Sequence, residues 1–325
     1  VYATVGWKVG VRYCLQGAKF YNSDGIEFWP EYRNKGFTRA QATLLEVRAG
    51  RGSPHGGIYL SVKHLPANLI KEQVSKLGRF TQRRRLEASG IDITKDAIEI
   101  GVASMSSLGG CVINVKCQTN IPGLYAAGEV ASGADGAYTL AGNLMAFCLA
   151  MGSVAGREAA IEAKGRKLPE ISEEQVRTLQ KKACAPLERK DGVSAFSVKS
   201  KIRDIMWEYA NLIGRTEESL GTANKELERI KMEGLPKLCT RAKNKRLNLE
   251  WMECLEVENM LTACEMTVRS ALTRTETRGL HFREDFPQRS PDWVKNVIIR
   301  KVGDEMSIET RPVTFTYVEP KEGEV

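Results

Sequence analysis

From Leu124 to Ala163 the sequence reads as a strand, a glycine-rich loop and a helix that is small and apolar on nearly every side. A helix without a polar face is a buried one. This segment therefore demands a layered α/β domain around it. In the stretch Asn120-Ile-Pro-Gly-Leu-Tyr-Ala-Ala-Gly-Glu129, the strand Leu124 to Ala127 delivers Gly128 and Glu129 to its carboxyl end. Open α/β folds bind ligands at such ends. Gly128 allows close approach of a ligand to the backbone, and Glu129 can accept hydrogen bonds from ribose hydroxyls. The loop Ser132 to Gly142 then feeds the N-terminus of the helix, which starts at Asn143. That terminus presents unpaired N–H groups and about half a positive charge, suited to an anion. By spacing alone, a glycine-rich turn that merely packs a helix onto a sheet fits equally well.

The remaining elements follow from periodicity. Residues 1 to 30 are glycine-punctuated and read as short strands and turns. Thr38 to Val47 has a helical rhythm, Ile58-Tyr-Leu-Ser-Val is a strand, and Ala67 to Ser89 is a basic amphipathic helical stretch. Further strands are expected at Ala97 to Val102, Cys111 to Val115 and Gly123 to Ala127. Pro169 breaks the pattern after the apolar helix. Ser172 with Gln175 forms a capping box, and Thr216 with Glu217 and Glu218 marks another helix start. The apolar stripe through Ile202, Ile205, Met206, Tyr209, Leu212 and Ile213 ends at Gly214. A last long helix spans Leu247 to Leu272. Short connections between long amphipathic helices imply an antiparallel three-helix bundle. Val297 to Val318 alternates and reads as a terminal β-hairpin.

Composition removes several function classes. The formal net charge is +8, but Lys and Arg are interleaved with Asp and Glu; only Arg83 to Arg85 and Arg241 to Arg246 are dense. Nucleic-acid binding is not expected, and an acidic ligand or an acidic protein partner suits the scattered charge better. Eight cysteines form no Cys-x-x-Cys pair, and only His55, His64 and His281 supply imidazoles. No metal site is expected, and the thiols point to a reducing, cytoplasmic compartment. The longest apolar run, Leu144 to Met151, falls short of the ~20 residues of a membrane span, so no direct span is expected. No apolar leader argues for secretion.

The segment Asn120 to Ala155 resembles the C-terminal FAD-contacting motif of the succinate dehydrogenase and fumarate reductase flavoprotein subunit family. Glu46-Val-Arg-Ala-Gly-Arg-Gly52, Ile58-Tyr-Leu60 and His64-Leu65 resemble the end of that family's capping domain and its return to the FAD domain. Thr275-Glu-Thr-Arg-Gly-Leu-His-Phe-Arg-Glu-Asp-Phe-Pro287 resembles its late signature, in which His281, Arg283 and Asp285 are expected to form an ion-pair and hydrogen-bond lock between the bundle and the FAD domain, with catalysis as the alternative. The resemblance implies a partial, Rossmann-like α/β FAD-binding domain with a helical bundle and a β-hairpin behind it. The expected divisions are 1–168, with a cap remnant at about 30–57, then 169–288 and 289–325. The family's N-terminal Gly-x-Gly-x-x-Gly strand–helix and most of its cap have no counterpart here, so a further chain or segment is expected to supply the first half of the FAD site.

The resemblance assigns FAD to Gly128, Glu129, Asn143, Leu144 and Met145. It also sets Trp29, Met105, Asp135 and Thr139 at positions where the family carries His or Arg for a dicarboxylate. Thr cannot reproduce the bidentate Arg–carboxylate fork. The implied function is an FAD-dependent oxidoreductase subunit that exchanges electrons with an iron–sulfur partner, cytoplasmic or peripheral to the membrane through that partner, with a substrate altered from a C4-dicarboxylate. A true dicarboxylate enzyme and a non-catalytic electron relay or scaffold are the alternatives.

Overall fold

A computed structural model describes residues 17–76, 88–103, 107–131, 135–138, 143–316 and 318–319. The chain divides into two compact units, Val1–Ser106 and Ser107–Val325.

The first unit is built on a three-stranded antiparallel sheet. Its strands β1 (Lys19–Tyr21), β2 (Ile58–Ser61) and β3 (Ile98–Ile100) lie in that order, with Lys19 opposite Ser61 and Ile58 opposite Ile100. Helices α1 (Trp29–Asn34), α2 (Arg39–Glu46) and α3 (Ala67–Lys76) accompany it. Helix α2 starts where a capping box directs it: Thr38 accepts from the Gln41 N–H, and the Gln41 side chain accepts from the Thr38 N–H. Phe20, Phe28, Ala42, Ile58, Leu60, Val62, Ile70 and Ile98 form the core. Beneath it Glu46 accepts from Arg51 Nε and Nη2 at 2.8 and 2.7 Å, from the Tyr32 hydroxyl and from Asn22 Nδ2. These donors, Arg51 foremost, hold the Glu46 carboxyl down at about 2 against the opposing effect of burial.

The second unit holds the glycine-rich segment, helix α4 (Asn143–Lys164), the bundle helices α5 (Glu173–Glu188), α6 (Ala195–Tyr209), α7 (Glu217–Arg229) and α8 (Leu249–Thr273), and the hairpin β4 (Lys295–Val302) with β5 (Glu305–Pro312). Each bundle helix opens on a side-chain cap: Ser172, Ser194, Thr216 and Asn248 accept from the N–H three residues on. Helix α8 buries Cys254, Val257, Leu261, Val268 and Ala271, a 3–4 spacing that keeps one seam inward. Met252, Leu255 and Met266, apolar by sequence, fall off that seam and stay exposed. Ile202, Leu220 and Leu227 close the core from α6 and α7. Each fully buried side chain of this kind contributes about 1.5–3 kcal/mol. Helix α5 adds a fourth member, tied to α8 by the Trp251 indole donating to the Ala183 carbonyl at 2.7 Å. The hairpin pairs Val302 with Glu305 around Gly303 and Asp304.

Two expectations about this unit are corrected. No continuous strand forms over Cys111 to Val115 or Leu124 to Ala127. The turn at Ile121–Leu124 folds the chain back on itself, leaving one bridge, Gln118 to Tyr125, flanked by bonds from Thr119 to Leu124 and from Ala126 to Cys117. Helix α4, expected to be buried, has no buried residue among those described, and Met145, Leu149 and Ile161 are 68%, 70% and 60% exposed. Its ties run to one side: Cys117 Sγ donates to the Met151 carbonyl, and Tyr125, Gln118 and Lys116 engage Glu162 and Glu158. With Gly152 to Ala155 extending the apolar run, α4 is also long and apolar enough to cross a membrane by length and composition.

Candidate functional site

Gly128 to Val130 form one tight helical turn, closed by the Ala131 N–H donating to the Gly128 carbonyl at 2.9 Å. The turn is fixed from both sides. Gly110 bridges Ala131, and the Cys111 N–H donates to the Val130 carbonyl at 2.7 Å. Gly128 has φ 76, and a Cβ there would stand 3.1 Å from Cys148 Sγ on α4. A side chain at this position would meet both the strain of left-handed backbone and the helix. Glycine thus lets the turn lie against α4. Glu129 is exposed, and its Oε1 accepts the Ser107 N–H at 2.8 Å. The carboxylate is a positioned acceptor. At the start of α4, Asn143 and Met145 are exposed and Leu144 is half-buried.

Asp135 to Tyr138 make a second short turn in the same unit. The Leu280 N–H donates to the Ala137 carbonyl at 3.0 Å, which joins this turn to the late signature segment. That segment is itself locked. Glu276, fully buried, accepts from Arg274, from Nε and Nη2 of Arg278 and from the Ser290 N–H. Arg283, 1% exposed, forms a fork on Asp285, with 2.7 Å from Nε to Oδ1 and from Nη2 to Oδ2, and also donates to the Ala271 carbonyl at the end of α8. Asp285 accepts the Glu217 N–H at the start of α7 as well. Arg283 holds the Asp285 carboxyl below its usual range.

The His281 ring lies between Arg215 Nη1, 3.1 Å from Nδ1, and the Arg274 carbonyl, 3.2 Å from Nε2. A guanidinium only donates, so Nδ1 must accept and Nε2 must carry the proton. Burial first, and Arg215 second, push the imidazole down to about 4. Burial likewise lowers Arg215, to about 10. His281 is thus a neutral strut.

Trp29 lies in the first unit. It packs on the core there, with its ring 6.4 Å from Phe20 and the Arg39 guanidinium 5.1 Å above it. Met105 and Thr139 lie outside the described residues. The turn Gly128–Glu129, the start of α4 and Asp135 all belong to the second unit. Sequence reasoning missed Arg215, Ser107 and the Ala137–Leu280 bond. Two of these contacts use main-chain atoms, which carry no residue signature.

The residues of the second unit fit a flavin nucleotide. A positioned carboxylate acceptor and an exposed apolar helix start suit ribitol or ribose hydroxyls and the edge of an apolar ring system, while the Cβ position of Gly128 faces Cys148 on α4 and seats the turn against the helix.

Two family models match: one described as FAD binding domain over residues 11–145, and one as fumarate reductase flavoprotein C-term over residues 199–325. An uncharacterized FAD-dependent oxidoreductase of Methanocaldococcus jannaschii is 31% identical over 264 residues, covering 80% of this chain and 46% of that protein. The CoM/CoB fumarate reductase of Methanothermobacter marburgensis has a subunit that is 31% identical over 294 residues, covering 88% of this chain and 51% of that protein. Among solved structures, Mycobacterium smegmatis Sdh1 in complex with UQ1 superposes with a TM-score of 0.79 at 28% identity, covering 93% of this chain and 52% of that one. The chain spans about half the length of the curated relatives it matches.

Proposed function

Since this chain belongs to the succinate dehydrogenase and fumarate reductase flavoprotein family, we propose that it forms the C-terminal part of an FAD site in an oxidoreductase that passes electrons to an iron–sulfur partner. Bound FAD would supply hydride or single-electron chemistry at its N5. Gly128, Glu129 and the Asn143–Met145 end of α4 would hold it. The observation that carries this reading is the Gly128–Glu129 turn, seated against α4 with its carboxylate fixed by Ser107. The exposed apolar face of α4 would be covered by the segment that supplies the other half of the FAD domain, whether on the same polypeptide or another. The substrate differs from a C4-dicarboxylate, because Trp29, Met105, Asp135 and Thr139 stand where the family uses His and Arg. The protein is cytoplasmic or held at the membrane through its partner.

Glu129→Ala should weaken flavin retention by about 1.5–3 kcal/mol, the usual worth of a hydrogen bond to a charged group, while Glu129→Gln should lose less. Flavin absorbance per mole of purified protein reads this directly. Equal stoichiometry in all three proteins removes Glu129 from the site. Saturable fumarate reduction with a reduced dye would favour the dicarboxylate enzyme instead.

A further inference from the structure

The late signature segment meets the Asp135–Tyr138 turn at Ala137, and the contact is close. The Leu280 N–H donates to the Ala137 carbonyl at 3.0 Å. Gly279 beside it has φ 58, and a Cβ there would stand 2.3 Å from the Ala137 carbonyl oxygen, 2.8 Å from its carbon and 3.0 Å from the Ala137 Cβ. Only a residue without a side chain allows the two backbones to meet.

The support behind Gly279 is stiff. Arg278 is bound to buried Glu276 and to the Ser290 carbonyl. The Arg278 N–H donates to the His281 carbonyl at 2.8 Å, and the His281 N–H returns to the Arg278 carbonyl at 3.0 Å. Arg283 is pinned to the end of α8, and Asp285 to the start of α7. A loop bonded to such a point takes its position from the bundle rather than from its own sequence.

We propose that Gly279 and the Leu280 amide are positioning residues. They set the height of the Asp135–Tyr138 turn, and through it the fit of the cofactor site, so that the helical bundle fixes the geometry of the flavin pocket. This rests on the FAD reading above.

The test compares Gly279→Ala with Gly303→Ala in the full chain. Gly303 has nearly the same backbone conformation, φ 61, but a Cβ there meets nothing within 4 Å. Both substitutions strain a left-handed residue, and only the first collides with Ala137. Hydrogen exchange is followed on peptides spanning Asp135–Tyr138, without flavin, and the FAD dissociation constant is measured by fluorescence quenching. Gly279→Ala should speed exchange in those peptides by roughly tenfold and raise the FAD dissociation constant by about tenfold. Gly303→Ala should do neither. Unchanged exchange in folded Gly279→Ala overturns the anchor, and faster exchange with unchanged FAD affinity overturns its role at the pocket. If Gly279→Ala does not fold, exchange of the wild-type chain decides: the Leu280 amide should exchange as slowly as the Arg278 and His281 amides beside it, and a Leu280 amide that exchanges faster than both overturns the anchor. A wild-type chain that binds no FAD, alone or with its missing half, defeats the functional reading instead, and the exchange data then judge the anchor alone.

Discussion

Lowering the pH should destabilise this protein through His281 before it does so through any carboxylate. Nδ1 accepts from Arg215, and protonation would remove that bond and place an imidazolium 3.1 Å from a guanidinium. Burial adds to the penalty. The folded value lies at about 4, against about 6.5 in the unfolded chain. For a group whose folded value is depressed in this way, stability is complete above about pH 6.5 and is lost as the unfolded chain takes up the proton. At pH 4.5 the two values give a loss of about 2.5 kcal/mol, levelling off below the folded value. Glu46, held at about 2, begins to contribute only below about 4.5, so the two windows separate. Urea denaturation at pH 7.0, 6.0, 5.0 and 4.5 measures the loss. His281→Gln keeps an acceptor for Arg215 and a donor for the Arg274 carbonyl but does not titrate. Its stability should stay flat across the same range, starting lower at neutral pH. Parallel curves for the two proteins between pH 6.5 and 4.5 would refute the neutral-strut argument.

Glu46→Gln should cost about 2 kcal/mol, the worth of a charge-assisted bond in a buried setting; an unfolding midpoint equal to wild type at pH 7 would contradict this. Its contribution is full above about pH 4.5 and fades as pH falls toward 2, so acid should narrow the gap between the two proteins. In the basic run, Arg241 is paired with Glu250, and Lys243 Nζ donates to the Arg189 and Thr240 carbonyls at 2.6 and 2.5 Å. Lys243→Gln should therefore cost about 1–2 kcal/mol of stability, visible in thermal melts. Lys245→Gln with Arg246→Gln should leave stability unchanged and slow association with an acidic iron–sulfur partner at low salt, less so near physiological salt, where screening acts over about 8 Å. On-rates measured against ionic strength decide it, and an unchanged on-rate at low salt excludes the patch as a docking site.

What the sequence determined by itself is what repeats along the chain. The caps at Ser172 and Thr216, the stripe through Ile202 and Leu227, and the alternation from Val297 onward were all legible, because helix and strand periods are written in neighbouring residues. The helix that follows the glycine-rich loop was legible for the same reason, whereas Gly128 and Glu129 were expected at the end of a strand and lie in a short helical turn. Tertiary structure decided the rest. It turned Leu124 back onto Cys117 to Thr119 where a longer strand was expected, because a turn at Ile121 outweighs a four-residue apolar run. It left α4 uncovered, because composition states that a helix wants enclosure but not which chain provides it. It set Trp29 among Phe20 and Arg39, and it brought Arg215 to His281 across 66 positions. The Ala137–Leu280 bond joins main-chain atoms 143 positions apart. Backbone atoms are the same at every position, so no residue pattern announces where two of them will meet; only the glycine that makes room for the contact is visible in the sequence.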